Sequence, residues 1–353
     1  MNLVELLVAL VVILVAAELF TNGIEWFGHK LNLAEGAVGS VLAAVGTALP
    51  ETMIPVVAIL TAGRSGDPGA ARDIGVGAIL GAPFMLATLA MFVTGLGVIG
   101  WARRRPGGRE LAIDRRVLGM DARYFFIAYS IAIGAALVPP ELVALRYVAA
   151  AVLIGIYAWY VKSHFEADPD VDATDLAPLR FRHVDVRHHR RTPEVPRLRV
   201  VNLQVLLAIG LIIGGAVVFV DAVEHIAGGS GLDPVLVALV LAPIATELPE
   251  TFNSLIWVRR SKDTLAMGNI TGAMVFQSCI PTSIGVVLAA QAWSLNAASL
   301  IGFVSAAIAF ASMAFILVPM IRRGSLSGGH LLVGGLFYVA YIGLVVARLA
   351  GWL

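Results

Sequence analysis

Charge is scarce in this 353-residue chain. Asp, Glu, Lys and Arg make up only 14% of it, while 59% is hydrophobic and the mean hydropathy is +0.87. A soluble domain carries about 25% charged residues, so this chain is built for lipid. Cysteine is almost absent. The single Cys279 excludes an internal disulfide framework and any cysteine-based metal cluster, and reads as a small apolar packing residue. The net charge of +1 points to no nucleic-acid partner, because the basic residues sit in short blocks between apolar runs. There is no H-E-x-x-H, no pair of aspartates in the core apolar segments and no G-x-S-x-G at a helix start. The chain therefore reads as no enzyme and calls for no cofactor. Met1-Asn2-Leu3-Val4-Glu5 lacks the basic start of a signal peptide, so the first apolar run is expected to be a retained spanning helix.

What is present is a series of apolar runs. A spanning helix needs about 20 mostly apolar residues. Ten segments fit an all-α membrane protein, at 2–22, 34–62, 72–100, 123–138, 142–162, 200–224, 233–258, 264–290, 296–320 and 328–350. The fourth is the weakest, being short and ending at Pro139-Pro140. Cationic residues favour cytoplasmic connections. All of the 25 Lys and Arg except Arg64, Arg72, Arg146 and Arg348 fall in the odd-numbered connections. That bias predicts a plasma-membrane protein with the odd connections in the cytoplasm and both termini outside.

One long polar stretch, 164–199, divides the chain into a first half at 1–163 and a second at 200–353, each with five apolar segments. It opens acidic, with Glu166, Asp168, Asp170, Asp172 and Asp175, and turns basic with His183, His188 and His189. A solvated, partly disordered cytoplasmic linker is the expectation; a pH or metal sensor is the alternative.

The halves resemble each other. Gly46-Thr47-Ala48-Leu49-Pro50-Glu51-Thr52 aligns with Ala245-Thr246-Glu247-Leu248-Pro249-Glu250-Thr251. At one shared offset before each, Glu25 matches Glu224 and Phe20 matches Phe219. After each, Gly77-Ala78-Ile79-Leu80-Gly81-Ala82 matches Gly268-Asn269-Ile270-Thr271-Gly272-Ala273. Three matches in one order point to a duplication. An odd number of helices per half sends the second copy through the membrane upside down, the inverted repeat of secondary transporters, whose sites lie near the midplane.

The repeated T-x-L-P-E suits a cation. A carboxylate at the bilayer centre costs about 2.5–3.5 kcal/mol even on the mildest scale. A pair facing one cavity repels unless a cation or protons neutralise it. Pro50 and Pro249 have no N–H to give to the carbonyls of Gly46 and Ala245, which frees those oxygens. Calcium takes about 6–8 hard oxygens. Glu51 and Glu250, the freed carbonyls, the hydroxyls of Thr47 and Thr246, and water would supply them. Glu247 stands three residues before Glu250 on roughly the same helix face. Gln277 and Asn269 are polar residues inside the eighth segment, equally suited to interhelical hydrogen bonds and to ligation. The glycines at 77, 81, 268 and 272 read as close-packing positions.

At these residues the chain resembles the cation/calcium exchanger superfamily, most closely its prokaryotic sodium/calcium exchanger branch. The resemblance implies ten helices in two inverted five-helix repeats, with Glu51 and Glu250 as central ligands and Thr47 and Thr246 beside them. This chain departs from the pattern at Ala48 and Glu247, where the first signature has serine. It departs again at Ala82 and Ala273, at Pro83 and Met274, and at Leu86 opposite Gln277. Several lost groups resemble sodium ligands. Ala245-Thr246-Glu247-Leu248 also looks like signatures of calcium/proton exchangers. The expectation is a calcium:sodium antiporter working by alternating access, with a calcium:proton antiporter as the alternative and a cation channel behind both. The candidate metal ligands are Thr47, Glu51, Thr246, Glu247, Glu250 and Gln277.

Overall fold

The computed structural model describes residues 2–30, 45, 48–61, 68–165, 176–184, 196–230, 247–290, 292–295, 299–323 and 325–349. They are mostly helical. In chain order the helices are α1 (Asn2–Lys30), α2 (Leu49–Thr61), α3 (Pro68–Met85), α4 (Met91–Gly100), α5 (Arg115–Ala136), α6 (Val143–Phe165), α7 (Leu198–Ser230), α8 (Leu248–Arg259), α9 (Asp263–Leu288), α10 (Leu300–Arg323), the four-residue α11 (Gly328–Leu331) and α12 (Val333–Leu349). A π-helical turn, Leu86–Ala90, joins α3 to α4 into one long rod.

Among the described residues, eight helical stretches are long and apolar enough to cross a membrane, which makes this a multi-pass membrane protein. The other two predicted segments, 34–62 and 233–258, are represented by the shorter α2 and α8. The N-terminal parts of both segments lie outside the described residues. Pro50 and Pro249 sit in the first turns of α2 and α8 rather than inside a continuous bent helix. There a missing N–H costs nothing. The carbonyls of Gly46 and Ala245 lie outside the described residues.

The predicted fourth segment, 123–138, is corrected at its start. α5 begins at Arg115, because the Asp114 side chain accepts from the backbone N–H of Arg116 at 2.7 Å and of Val117 at 3.4 Å. The all-α expectation also needs an amendment. Glu110–Ala112 (β1) pairs antiparallel with Ser325–Ser327 (β2), stitching the α4–α5 connection to the α10–α11 connection.

Two helical rods form the centre. In the rod Gly75–Gly100 and in α9, 83% of the most apolar stretch is buried, against 22–56% in the other spans. α9 packs on α5, α6, α8 and α3. α1 and α7 form the other unit, packed along each other's length. The face of α1 bearing Leu6, Ala9, Ile13 and Ala16 is buried, while Val4, Leu7, Val8, Val11 and Val15 are exposed to the lipid side. Gly215 lets the pair approach, since a Cβ there would stand 2.7 Å from Ile13 Cγ1.

The start of α9 is clamped. Arg105 and Asp263 are both buried, and Nη2 of Arg105 lies 2.8 Å from each carboxylate oxygen of Asp263. Arg105 also donates to the carbonyl of Val258, and Asp263 accepts from the Ala112 N–H at 2.9 Å.

The linker expectation is corrected in part. Residues 176–184 are anchored across α1 and α7 through Leu179, while most of their other side chains stay exposed. Leu179 is buried with Trp26 and Val201. The Ala177 carbonyl accepts from Asn22 Nδ2 and Trp26 Nε1, and Gln204 Oε1 accepts from the Phe181 N–H. The apolar pair Leu176 and Leu179 supplies the reason. Helix α6 runs to Phe165 and α7 starts at Leu198, so the polar stretch is slightly shorter than 164–199. His188 and His189 lie outside the described residues.

Candidate cation site

The repeated signature places an acid at the start of each short helix. Glu51 lies in the first turn of α2 and Glu250 in the first turn of α8. Helix N-termini present free N–H groups and a positive dipole end, which suit a carboxylate. Glu247 lies just before α8. All three side chains are buried, at 3%, 0% and 3% exposure for Glu51, Glu250 and Glu247. One carboxylate oxygen from each can be chosen so that all lie within 4.8 Å of one another.

Helix α9 supports this cluster with two amides. Gln277, fully buried, donates from Nε2 to Glu247 Oε1 at 3.1 Å. Asn269 donates from Nδ2 to the backbone carbonyl of Glu250 at 3.1 Å and reaches Ser254 Oγ at 3.5 Å. Both amides spend their N–H groups this way, so their oxygens turn elsewhere. Gln277 Oε1, Asn269 Oδ1 and Glu247 Oε2 are buried and receive no hydrogen bond from the described residues. A buried oxygen without a donor is costly. Several such oxygens beside three carboxylates make a place where positive charge is stabilising and a further anion is not. Hard oxygens in this number suit a divalent cation; a proton suits any one of the carboxylates.

The threonine after each glutamate behaves identically in both halves. Thr52 Oγ1 donates to the Ala48 carbonyl at 3.1 Å, and Thr251 Oγ1 donates to the Glu247 carbonyl at 2.9 Å. The wall opposite Glu247 is apolar. A cavity of about 160 Å³ is lined by Met85, Leu89, Ala90 and Val93 of the central rod and by Glu247, Thr251, Phe252 and Leu255.

The structure thus brings together Glu51, Glu247, Glu250 and Gln277 of the sequence candidates. Thr47 and Thr246 lie outside the described residues. The glycines at 77, 81, 268 and 272 lie in buried stretches of α3 and α9. Asn269 is the residue left undecided by sequence alone. Its amide is a bracket for the start of α8, and the signal was its place in the second-half match opposite the apolar Ala78.

Comparison with known proteins gives the family and the fold. The sequence model of the family described as sodium/calcium exchanger protein matches residues 1–163 and 201–350. A protein of Alkalimonas amylolytica named "Putative antiporter CaxA" is 24% identical over 337 residues, covering 96% of this chain and 95% of that protein. Among solved structures, the H+/Ca2+ exchanger CAX superposes with a TM-score of 0.74 at 18% identity, covering 96% of this chain and 81% of that one. The sodium-calcium exchanger NCX_Mj gives 0.60 at 16% identity and covers 96% of each chain.

Proposed function

The chain belongs to the sodium/calcium exchanger protein family, and from that membership we propose that it is a secondary active antiporter. It carries Ca²⁺ across the plasma membrane in exchange for Na⁺ or H⁺. The observation that carries this reading is the cluster of Glu51, Glu247 and Glu250, three buried carboxylates with oxygens within 4.8 Å of one another. Glu51 and Glu250 coordinate the ion, Thr47 and Thr246 add oxygens, and Gln277 orients Glu247. Inorganic cations are the cargo, and no resident cofactor takes part. Ten helices in two inverted five-helix halves, with both termini outside and the 164–199 linker in the cytoplasm, complete the picture. The ion is reached from either side in turn as one unit moves against the other.

One observation favours protons over sodium as the coupling ion. Glu247 has one oxygen held by the Gln277 amide and faces the apolar cavity walled by Met85, Leu89, Ala90 and Val93. A proton needs only a carboxylate. A sodium ion needs a further ring of oxygens, and Ala82, Pro83, Leu86, Ala273 and Met274 offer no side-chain oxygen at the positions where the family carries polar groups.

The test is calcium uptake into proteoliposomes, with a sodium gradient in one arm, a proton gradient in the other and Glu250→Ala as control. Uptake driven by protons alone establishes proton coupling, and uptake driven by sodium alone establishes sodium coupling. Uptake that never exceeds equilibrium in either arm means a channel. No uptake in either arm sinks the calcium assignment.

A further inference from the structure

A second buried acid stands away from the ion cluster, where α5, α6 and α9 meet. Asp121 of α5 has 0% exposure. Its Oδ1 accepts from the Tyr160 hydroxyl at 2.9 Å and lies 3.1 Å from His164 Nε2, both on α6. Its Oδ2 lies 2.5 Å from Thr271 Oγ1 on α9. Tyr160 and His164 are buried as well. Aspartate is almost never fully buried unless it is paired and hydrogen-bonded. Here every partner comes from a neighbouring helix, so the carboxylate ties three helices at one point.

Thr271 occupies an informative place on α9. It lies two residues after Asn269, which holds the Glu250 carbonyl, and less than two turns before Gln277, which holds the Glu247 carboxylate. A helix moves as a rigid rod over so short a length. A shift of Thr271 relative to α5 and α6 therefore shifts both amides relative to the carboxylates they bracket.

We propose that Asp121 and His164 form a positioning pair for the ion site. They hold α9 in the register that presents Asn269 and Gln277 to Glu250 and Glu247. The inference rests on the transport reading above.

The experiment uses everted membrane vesicles, whose cytoplasmic face is outward, with calcium flux measured as outer calcium is varied. Asp121→Asn is expected to raise the KM for calcium several-fold with little change in maximal rate. Thr271→Val and His164→Ala are expected to do so more mildly, and His164→Gln, which keeps a donor to Asp121, is expected to bring KM back to the parent value. If Asp121→Asn fails to accumulate in the membrane, Thr271→Val and His164→Ala decide the matter. Asp121→Asn, Thr271→Val and His164→Ala variants that keep the parent KM, or that lose only maximal rate and thermal stability, overturn the pairing. A parent protein that transports no calcium overturns the transport reading instead.

Discussion

The two halves of the chain divide the chemistry unequally around the carboxylate cluster. In the first half, α2 contributes Glu51, and the rod that follows presents Met85, Leu89, Ala90 and Val93 to the cavity beside Glu247. In the second half, α8 and its approach contribute Glu247 and Glu250, and α9 supplies Asn269 and Gln277. The rods differ to match. The first passes through a π-helical turn at Leu86–Ala90, whereas α9 runs unbroken for 26 residues in spite of Pro281. π turns are often found at functional sites. Here the turn carries the apolar wall, with Gly334 pressed so closely that a Cβ would stand 2.5 Å from the Thr88 carbonyl. The difference teaches that two matching sequence signatures need not bring the same side chains to a site. One half holds the polar groups while the other shapes the cavity.

The comparison can be broken first at the clamp on the start of α9. Arg105→Met leaves Asp263 as a buried charge without its guanidinium, a loss of about 3–5 kcal/mol. The purified protein should unfold at a clearly lower temperature in detergent, and restoring balance with Asp263→Asn in the same chain should recover part of it. An unchanged melting temperature would mean that the clamp is dispensable.

Next come the paired acids. Glu51→Gln and Glu250→Gln should each weaken calcium binding by on the order of 100-fold, the scale of about 2–5 kcal/mol for removing one charged partner from a desolvated site. Calorimetric titration with calcium reads this directly. Equal losses would show that the halves still share the ion, and a loss confined to Glu250 would make the site a property of the second half alone.

The amide is expected to matter less. Gln277→Leu gives the second half the residue that Leu86 provides in the first. A residue that orients a ligand is worth about 10–100-fold in affinity or activity, so calcium flux should fall within that range while proton drive suffers most. Flux equal to the parent's would remove Gln277 from the site.

The smallest effect concerns a hydrogen bond that both halves make. Thr52→Val and Thr251→Val each remove a hydroxyl from a helix-start carbonyl and should cost about 1 kcal/mol of stability apiece. Denaturant unfolding that shows one far costlier than the other would reveal an asymmetry the hydrogen bonds do not.

Much of this was legible in the sequence, for reasons that can be named. The apolar runs announced the spans because a helix in lipid must satisfy its own backbone and cover itself with carbon. Glu51 and Glu250 stood out because acids deep in such runs are costly, and their repetition made the cost look deliberate. The α5 start was missed because Arg115, Arg116 and Arg123 lower the local hydropathy, while the Asp114 cap acts through geometry that hydropathy does not measure. The docked stretch 176–184 was missed for a related reason. Two leucines amid prolines and charges look solvated until a groove between α1 and α7 exists to receive them.

Composition and periodicity were enough to place the chain in a membrane and to single out its buried acids, because each of these is a local cost. Which acids meet was another matter. Glu247 and Glu250 are neighbours in the chain, but Glu51 joins them from about 200 residues away. Asp121 finds His164 and Thr271 only where α5, α6 and α9 cross. Such meetings depend on how whole helices pack, which sums many weak contacts spread along the chain and leaves no signature at any one residue.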